Sequence, residues 1–177
     1  MQTPERWTIH GEPIPIVDEY TYLGNLIRRN EEDIDLDAMA EYRAKQATKA
    51  ALKIGMVLGN GQIPVYIRAK IVRAIVVATA TYGAELWGMN GIRCDPGQRV
   101  LNRAYKRILG MGAKSTVTSG ATIGAELGIP SLHAMAAALR TRGFAKFTSL
   151  RTMVAYMRQV PGSGRKKTKI GMKEVRD

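Results

Sequence analysis

The hydrophobic period of this chain changes near Asp37, and that change restricts the available folds more than any other feature. Before Asp37, apolar side chains such as Trp7 and Ile9 alternate with polar ones, which is the period of a half-buried β-strand. After it, apolar residues recur at spacings of three and four, which is the period of an amphipathic α-helix. We therefore predict a mainly α fold, a helical bundle preceded by a short N-terminal β-hairpin.

The N-terminal strands are short and interrupted by prolines. The hairpin is expected to turn at Gly11-Glu12, and Pro13 and Pro15 in its second strand cannot donate hydrogen bonds to a ladder. We therefore expect this strand to lie at an edge. A further aromatic, strand-prone stretch is expected to end at Gly24, before an acidic loop.

Capping and stop signals predict the helix boundaries. Asp37 is the expected N-cap of a first helix, which continues to the stop at Gly59-Asn60-Gly61. A second helix is expected from Pro64 to about Tyr82, and because it is apolar on most sides we expect it to be the central, buried element. Three further helices are expected at Gly97 to Leu109, Ser119 to Leu127 and Leu132 to about Thr148.

Charge is distributed unevenly along the chain. Twenty-seven Lys and Arg residues against 15 Asp and Glu give a formal net charge of +12. Residues 1–37 hold 9 acidic and 3 basic side chains, whereas residues 38–177 hold 6 acidic and 24 basic ones. This excess indicates a polyanionic partner, either a nucleic acid or an acidic membrane surface. We predict four segments: a hairpin with an acidic loop at 1–37, basic helices at 38–112, linker-like helices at 113–160 and a flexible basic tail at 161–177.

Two of the predicted helices carry basic residues opposite their apolar seams. Such a face can be the solvated side of an amphipathic helix, which is the commoner situation. Two faces of the same sign together with a basic tail favour binding to a phosphate backbone, without reading of base sequence. The predicted nucleic-acid-binding residues are Lys45, Lys49, Lys53, Arg99, Arg103, Lys106 and Arg107.

Few residues suit catalysis or metal binding. One cysteine, Cys94, and two histidines, His10 and His133, cannot build the usual zinc site, a disulfide framework or a histidine-activated nucleophile. Carboxylates cluster in runs typical of solvated loops, so we predict no catalytic residue, no metal site and no cofactor in this chain. The cysteine usage favours a reducing intracellular compartment, nuclear or cytoplasmic. No run approaches 18 uncharged apolar residues, so we expect no membrane-spanning helix, and we predict no membrane partner.

Three short segments combine aromatic residues, leucine and glycine. They are Tyr20-Thr21-Tyr22-Leu23-Gly24, Tyr82-Gly83-Ala84-Glu85-Leu86-Trp87 and Leu127-Gly128-Ile129-Pro130-Ser131-Leu132. Their order and spacing, with basic helices between them, resemble the region that follows the catalytic segment in reverse transcriptases of non-LTR (LINE-type) retrotransposons. The resemblance covers roughly residues 14–147, corresponding to the end of the palm, the thumb and the start of the following linker.

The resemblance implies roles for these parts. In that family the aromatic-Leu-Gly segment closes the palm in a hairpin that contacts the primer end, which implies the same contact for Tyr22, Leu23 and Gly24. The helices that follow form a thumb that holds the primer-template duplex. The implied partners are therefore an RNA–DNA or DNA duplex, through its backbone, and the missing polymerase part.

The active site of that family has no counterpart in this sequence. It uses an aromatic-X-Asp-Asp turn and a further upstream aspartate to hold two divalent metals, and no such sequence occurs here. The resemblance thus implies a fragment of an RNA-directed DNA polymerase that retains the primer-template-binding thumb, lacks the catalytic palm and is inactive alone, with Mg²⁺ expected only in the intact polymerase. The alternative is a stand-alone helical scaffold, a protein-interaction module with a basic surface.

Overall fold

A computed structural model describes residues 8–29, 34–112 and 118–149, with side chains as far as residue 146. The described residues up to Arg140 belong to one compact unit, and residues 141–149 belong to a second. The described residues are mainly helical, and short hairpins precede the helices, which confirms the predicted fold class. The predicted tail at 161–177 lies outside the described residues.

All of the described strands precede the described helices in the sequence. A π-helical turn at Arg73–Val77 joins the helix Val65–Val72 to the helix Ala78–Thr81. The strands are β1 Thr8–Ile9, β2 Glu12–Pro13, β3 Glu19–Tyr22 and β4 Asn25–Arg28. The helices are α1 Leu36–Lys53, α2 Gly55–Gly59, α3 Val65–Val72, α4 Ala78–Thr81, α5 Ala84–Trp87, α6 Gly91–Ile108, α7 Gly120–Glu126 and α8 Leu132–Ser149.

The strands form two separate antiparallel hairpins, β1–β2 and β3–β4. The first turns at His10-Gly11, and the expectation of a turn at Gly11-Glu12 is wrong. Both His10 and Gly11 have positive φ, which a tight two-residue hairpin turn requires. Pro13 stands opposite Thr8 in a two-stranded ribbon, where both strands are edges, as expected.

Strand β4 was not predicted from the sequence. The chain reverses at Leu23-Gly24 and returns along β3, with Tyr22 opposite Asn25. The sequence therefore continues as a strand beyond the expected end at Gly24. Leucine is uncommon at positive φ, so this turn lacks the usual Asn-Gly signal for a two-residue hairpin.

The first helix is capped by Asp35 and not by Asp37, and it ends at Lys53 instead of continuing to Gly59. The Asp35 carboxylate accepts the Ala38 N–H at 2.9 Å. Asp37 lies in the first turn instead, where its carboxylate accepts a hydrogen bond from Arg93 Nε at 2.6 Å. Both aspartates have the chemistry of a cap, so the sequence pattern could not choose between them.

The second predicted helix is the α3–π–α4 segment, and it is buried on one side. Val72 and Val76 are fully buried, and the π-helical turn packs on α1. Tyr66 and Ile75 are exposed, so the expectation of a buried element holds for one side of this segment only. Apolar side chains form much of any folded protein's surface, and an apolar pattern therefore does not require burial all round.

Helix α6 begins at Gly91, earlier than the expected Gly97. Asn90 Oδ1 caps it by accepting the Arg93 N–H at 2.7 Å. Pro96 lies inside the helix, although proline usually marks a helix boundary, and the sequence therefore indicated a start after Pro96. The helical spacing of its apolar residues predicts a single apolar face, and that face is buried through Val100, Leu101, Ala104, Tyr105 and Ile108.

The core of the first unit includes Trp87 and Leu132, both almost fully buried. Gly97 allows α6 to approach Leu132 closely, because a Cβ at residue 97 would lie 2.5 Å from Leu132 Cδ2. Ser119 and Ser131 cap helices α7 and α8, since their hydroxyls accept backbone N–H groups at the starts of these helices. Apolar burial of this kind provides roughly 25 cal/mol per Å² and holds the helices together.

Candidate nucleic-acid interface

The tip of the β3–β4 hairpin carries the residues to which the resemblance implies primer contact. Leu23 and Gly24 have φ of 46° and 81°, the backbone of a type I′ turn. The side chains of Tyr22 and Leu23 are exposed, that of Leu23 to 70%. A leucine in the left-handed region costs about 1–2 kcal/mol. Strained residues of this kind cluster at functional sites, so the tip is a candidate contact point.

Two side chains of the helical part hold this turn in place. Arg43 on α1 is buried, and its guanidinium donates to the Gly24 carbonyl and to Asn25 Oδ1, the latter from Nε at 3.2 Å and from Nη2 at 2.9 Å. Tyr82 Oη donates to the Leu23 carbonyl at 2.9 Å. The Tyr82 ring centroid lies 4.3 Å from Arg43 Cζ, a cation–π contact. Burial lowers the pKa of the Arg43 guanidinium. The contacts of Arg43 and Tyr82 together fix the hairpin tip.

The first two segments of the resemblance contact each other. Besides the Tyr82–Leu23 hydrogen bond, Gly83 packs directly on Asn25. A Cβ at Gly83 would lie 2.7 Å from Asn25 Oδ1, and Gly83 has a φ of 71°. Glycine is therefore needed at residue 83 for both its backbone angle and its small volume. The sequence placed these segments in order but did not predict that they meet.

The third segment contacts different elements. Arg73 Nη2 donates to the carbonyl oxygens of Leu127, at 3.0 Å, and of Gly128. The Leu132 N–H donates to Gln98 Oε1 at 2.7 Å. These bonds tie the connection between α7 and α8 to the π-helical turn and to α6. In this fold the third segment therefore has a packing role.

The predicted lysine face on α1 is exposed. Lys45, Lys49 and Lys53 lie four residues apart, so their side chains follow one side of the helix. Across the part of the chain that the structure describes, none of the three forms an ion pair or a hydrogen bond through its ammonium group. Their charges are therefore available to an anionic ligand.

The predicted residues on α6 differ among themselves. Arg99 and Arg103 are exposed and have no ion-pair partner within residues 8–29, 34–112 and 118–146. Arg107 Nε donates to the Gly55 carbonyl at 2.8 Å and thereby joins α6 to α2. Lys106 is half-buried. The structure thus leaves two of the four α6 residues fully available and gives Arg107 a structural contact as well.

Helices α1 and α6 form the most extensive helix pair, so their basic faces belong to one packed body. The sequence places few acids nearby, since residues 38–112 contain only Glu41, Glu85 and Asp95. Asp37 at the start of α1 is paired with Arg93. The positive charge of this body is therefore poorly neutralised, which attracts polyanions at long range.

Arg43 and Tyr82 are the site residues that sequence reasoning missed. A signal was present for Arg43, because it lies three residues after Ala40 and four before Ala47, within the apolar seam of α1. A charged residue in such a seam is rarely buried without a partner. The partners, Gly24 and Asn25, could not be identified without the unexpected strand β4.

No group of three His, Cys, Asp or Glu side chains able to hold a metal occurs among the described residues. This finding does not test the predicted absence of a cofactor, which stays a prediction. Within the same residues, the helices are too short or too polar to cross a membrane. Comparison with known protein families, with curated proteins and with solved structures gives no significant match for this chain.

Proposed function

We propose that this chain is the thumb-like, primer-template-binding region of an RNA-directed DNA polymerase of the non-LTR retrotransposon type, without the catalytic palm. Its activity is binding. The basic faces of α1 and α6 contact the phosphate backbone of an RNA–DNA or DNA duplex, and the hairpin tip contacts the primer end. The resemblance of the three sequence segments supports the polymerase assignment, and the surface charge supports the nucleic-acid partner. The compartment is intracellular and reducing.

One observation carries the proposal: two helices packed on each other present exposed basic side chains that lack ion pairs within the described residues. An exposed lysine or arginine without an ion-pair partner breaks no existing ion pair when it binds a phosphate. Each phosphate that it neutralises releases condensed counterions, which drives binding at low salt. The residues in question are Lys45, Lys49, Lys53, Arg99 and Arg103.

The fixed hairpin tip supports the second contact. Arg43 and Tyr82 hold the backbone of Leu23 and Gly24, while the Tyr22 and Leu23 side chains are exposed. A tip that is already ordered loses little conformational freedom on binding. An aromatic and an aliphatic side chain in this position suit contact with the end of a strand, where a base face is accessible.

The proposal is tested with two variants that remove the same charge from different places. The first is Lys45→Ala/Lys49→Ala/Lys53→Ala on α1, and the second is Arg29→Ala/Lys70→Ala/Arg140→Ala, which changes no residue of α1 or α6. Binding to an RNA–DNA hybrid is measured by fluorescence anisotropy over a range of salt concentrations. We expect the first variant to bind more weakly, with a logarithmic salt slope shallower by about 0.9, the duplex-DNA value, for each phosphate that is no longer neutralised. The second should stay close to the unmodified chain, and equal weakening in both variants would contradict the proposal.

We expect the chain to extend no primer on an RNA template and to cleave no nucleic acid in the presence of Mg²⁺ or Mn²⁺. Two-metal phosphoryl transfer needs carboxylates arranged about a pair of ions, and the aromatic-X-Asp-Asp sequence is missing. Primer extension that follows the protein through purification would overturn this part of the proposal.

A second candidate function, protein interaction, is favoured by one specific observation. A groove of about 660 Å³ lies between the β3–β4 hairpin and helices α4 and α5, and its walls include the exposed side chains of Tyr22, Leu23 and Leu86. Exposed apolar surface of this kind is typical of protein contacts. The scaffold alternative expects no salt-dependent binding to nucleic acid, so the anisotropy experiment separates the two functions.

A further inference from the structure

A second concave site lies beside the basic faces, between α1, α2 and α6. The cleft has a volume of about 530 Å³, within the range of small-molecule binding sites. Its walls combine apolar side chains, glycine backbone and two guanidinium groups, and none of its residues is acidic. The residues that bear on binding are Leu52, Val100, Arg103, Arg107 and Met111.

Arg103 and Arg107 lie four residues apart on α6 and therefore on the same side of the helix. Two like charges at this spacing repel each other, and the cleft contains no acid to compensate them. Arg107 is fixed by its hydrogen bond to the Gly55 carbonyl. Its guanidinium lies against the glycines of α2, since Cβ atoms built at Gly55 and Gly59 would be 3.4 and 3.7 Å from it. Arg103, by contrast, is exposed and has no ion-pair partner among the described residues.

The other wall of the cleft is apolar. Leu52 on α1 lines the cleft and is 71% exposed, far more than is usual for a leucine, and Ala51 lies beside it on the same helix. Val100 lies on the α6 side of the cleft, and Met111 follows α6. A site that recognised only the charge of a duplex would need no recess, because the phosphates of a duplex lie on a convex surface that open basic faces can reach. A recess with guanidinium groups on one wall and an apolar opposite wall fits a ligand that has both an anionic group and a flat apolar face.

From this geometry we infer that the α1–α6 cleft binds an unpaired nucleotide of a nucleic-acid strand. Arg107 and Arg103 bind its phosphate, and the base lies between the Arg103 guanidinium plane and the apolar wall at Leu52. Unpaired bases stack on arginine guanidinium planes, and single-strand sites combine positive grooves with such stacking. The inference rests on the proposed nucleic-acid binding and adds a preference for strand ends or single-stranded extensions.

The test compares two probes, a blunt RNA–DNA hybrid and the same hybrid with a short single-stranded extension. We expect the chain to bind the extended probe about tenfold more tightly, a change within what the stacking of one base provides. Arg103→Met keeps the aliphatic stem and removes the charge, and it should abolish the preference. Arg99→Met changes an exposed arginine of the same helix outside the cleft and is the matched control, which should weaken binding of both probes equally and keep the preference.

A third variant, Leu52→Ser, separates the cleft from its charge. It leaves the net charge unchanged, so the salt slope should stay the same while the preference for the extended probe falls several-fold. Equal binding of both probes by the unmodified chain would overturn the inference and leave duplex binding intact. Binding of neither probe would overturn both the inference and the proposed function. Arg103-dependent binding of the single-stranded extension alone would support the inference and contradict duplex binding.

Discussion

The β3–β4 hairpin and the α1–α6 helix pair are held in place by different interactions. None of the residues of β3 or β4 is fully buried, and the hairpin tip is fixed by hydrogen bonds from Arg43 and Tyr82. The helix pair is held by apolar residues such as Leu101 and Ile108, which are almost fully buried. A hydrogen bond contributes about 0.5–1.5 kcal/mol net, whereas a buried leucine contributes about 1.5–3 kcal/mol. The hairpin should therefore open at a lower free energy than the helical core, and a few polar contacts decide its position.

The largest expected effect comes from the core. Leu101→Ala should lower the free energy of unfolding by about 2–5 kcal/mol, because it leaves a cavity at a fully buried position of α6. Urea unfolding measures this decrease. The control Leu52→Ala, at an exposed position of α1, should change stability by less than about 0.5 kcal/mol. Similar destabilisation in both variants would contradict the placement of the core.

Arg43→Met should release the hairpin and leave the core folded. It removes the hydrogen bonds to Gly24 and Asn25 and the contact with Tyr82, so the free energy of local opening should fall by about 1–3 kcal/mol. Hydrogen exchange should become faster in β3 and β4 while α6 keeps its protection. The control Arg99→Met should change neither region, and faster exchange across all helices after Arg43→Met would show that the two regions are not separable.

Leu23→Asn should have a smaller effect in the opposite direction. Asparagine tolerates the positive φ of residue 23, and Asn-Gly is a favoured type I′ turn, so the hairpin should gain about 1 kcal/mol. Slower amide exchange in β3 and β4 would record this gain. If Leu23 is retained for contact with a strand end, the same variant should bind the RNA–DNA hybrid more weakly despite its more stable hairpin. A less stable hairpin would contradict the turn assignment.

The smallest effect is expected at Tyr105, and it is confined to the helical core. Its buried hydroxyl has no hydrogen-bond partner among the described residues, so Tyr105→Phe should leave stability at neutral pH unchanged or raise it by up to about 1 kcal/mol. Burial raises the pKa of Tyr105 to about 12, compared with an ordinary value of about 10.

The raised pKa of Tyr105 also sets the direction of a pH effect. Between about pH 10 and 12 the unfolded state ionises while the folded state keeps its proton, so stability should fall as pH rises through this window. Tyr105→Phe should be destabilised less there, as measured by urea unfolding at neutral and alkaline pH. A destabilisation above about 1 kcal/mol at neutral pH would show that the hydroxyl has a partner after all.

The sequence predicted the helical part well because its signals are local and periodic. The apolar face of α6 follows from the spacing of its apolar residues, and α7 and α8 begin within one residue of the expected Ser119 and Leu132. The expected helix starts were wrong where two residues carried the same capping signal, as at Asp35 and Asp37, or where a proline lies inside the helix, as in α6.

The hairpin tip could be predicted only in part because its determinants are distant in sequence. The aromatic-Leu-Gly segment marked the place, but the turn depends on Arg43 and Tyr82, which come from α1 and from the end of α4. Neither the strained Leu23 nor the contact of Gly83 with Asn25 has a local signal. The cleft between α1 and α6 likewise forms only when the two helices pack, although the sequence had singled out both of its arginines.

Chemical footprinting of lysines tests the central claim most directly, because it locates the ligand on the unmodified chain. The acetylation rates of Lys45, Lys49, Lys53 and Lys70 are measured by mass spectrometry with and without an RNA–DNA hybrid, at a concentration that anisotropy shows to be saturating. Lys70 is exposed on α3 and provides the internal control. We expect the three α1 lysines to become several-fold less reactive while Lys70 is unchanged. Equal rates for all four lysines with and without bound hybrid would contradict the proposed interface.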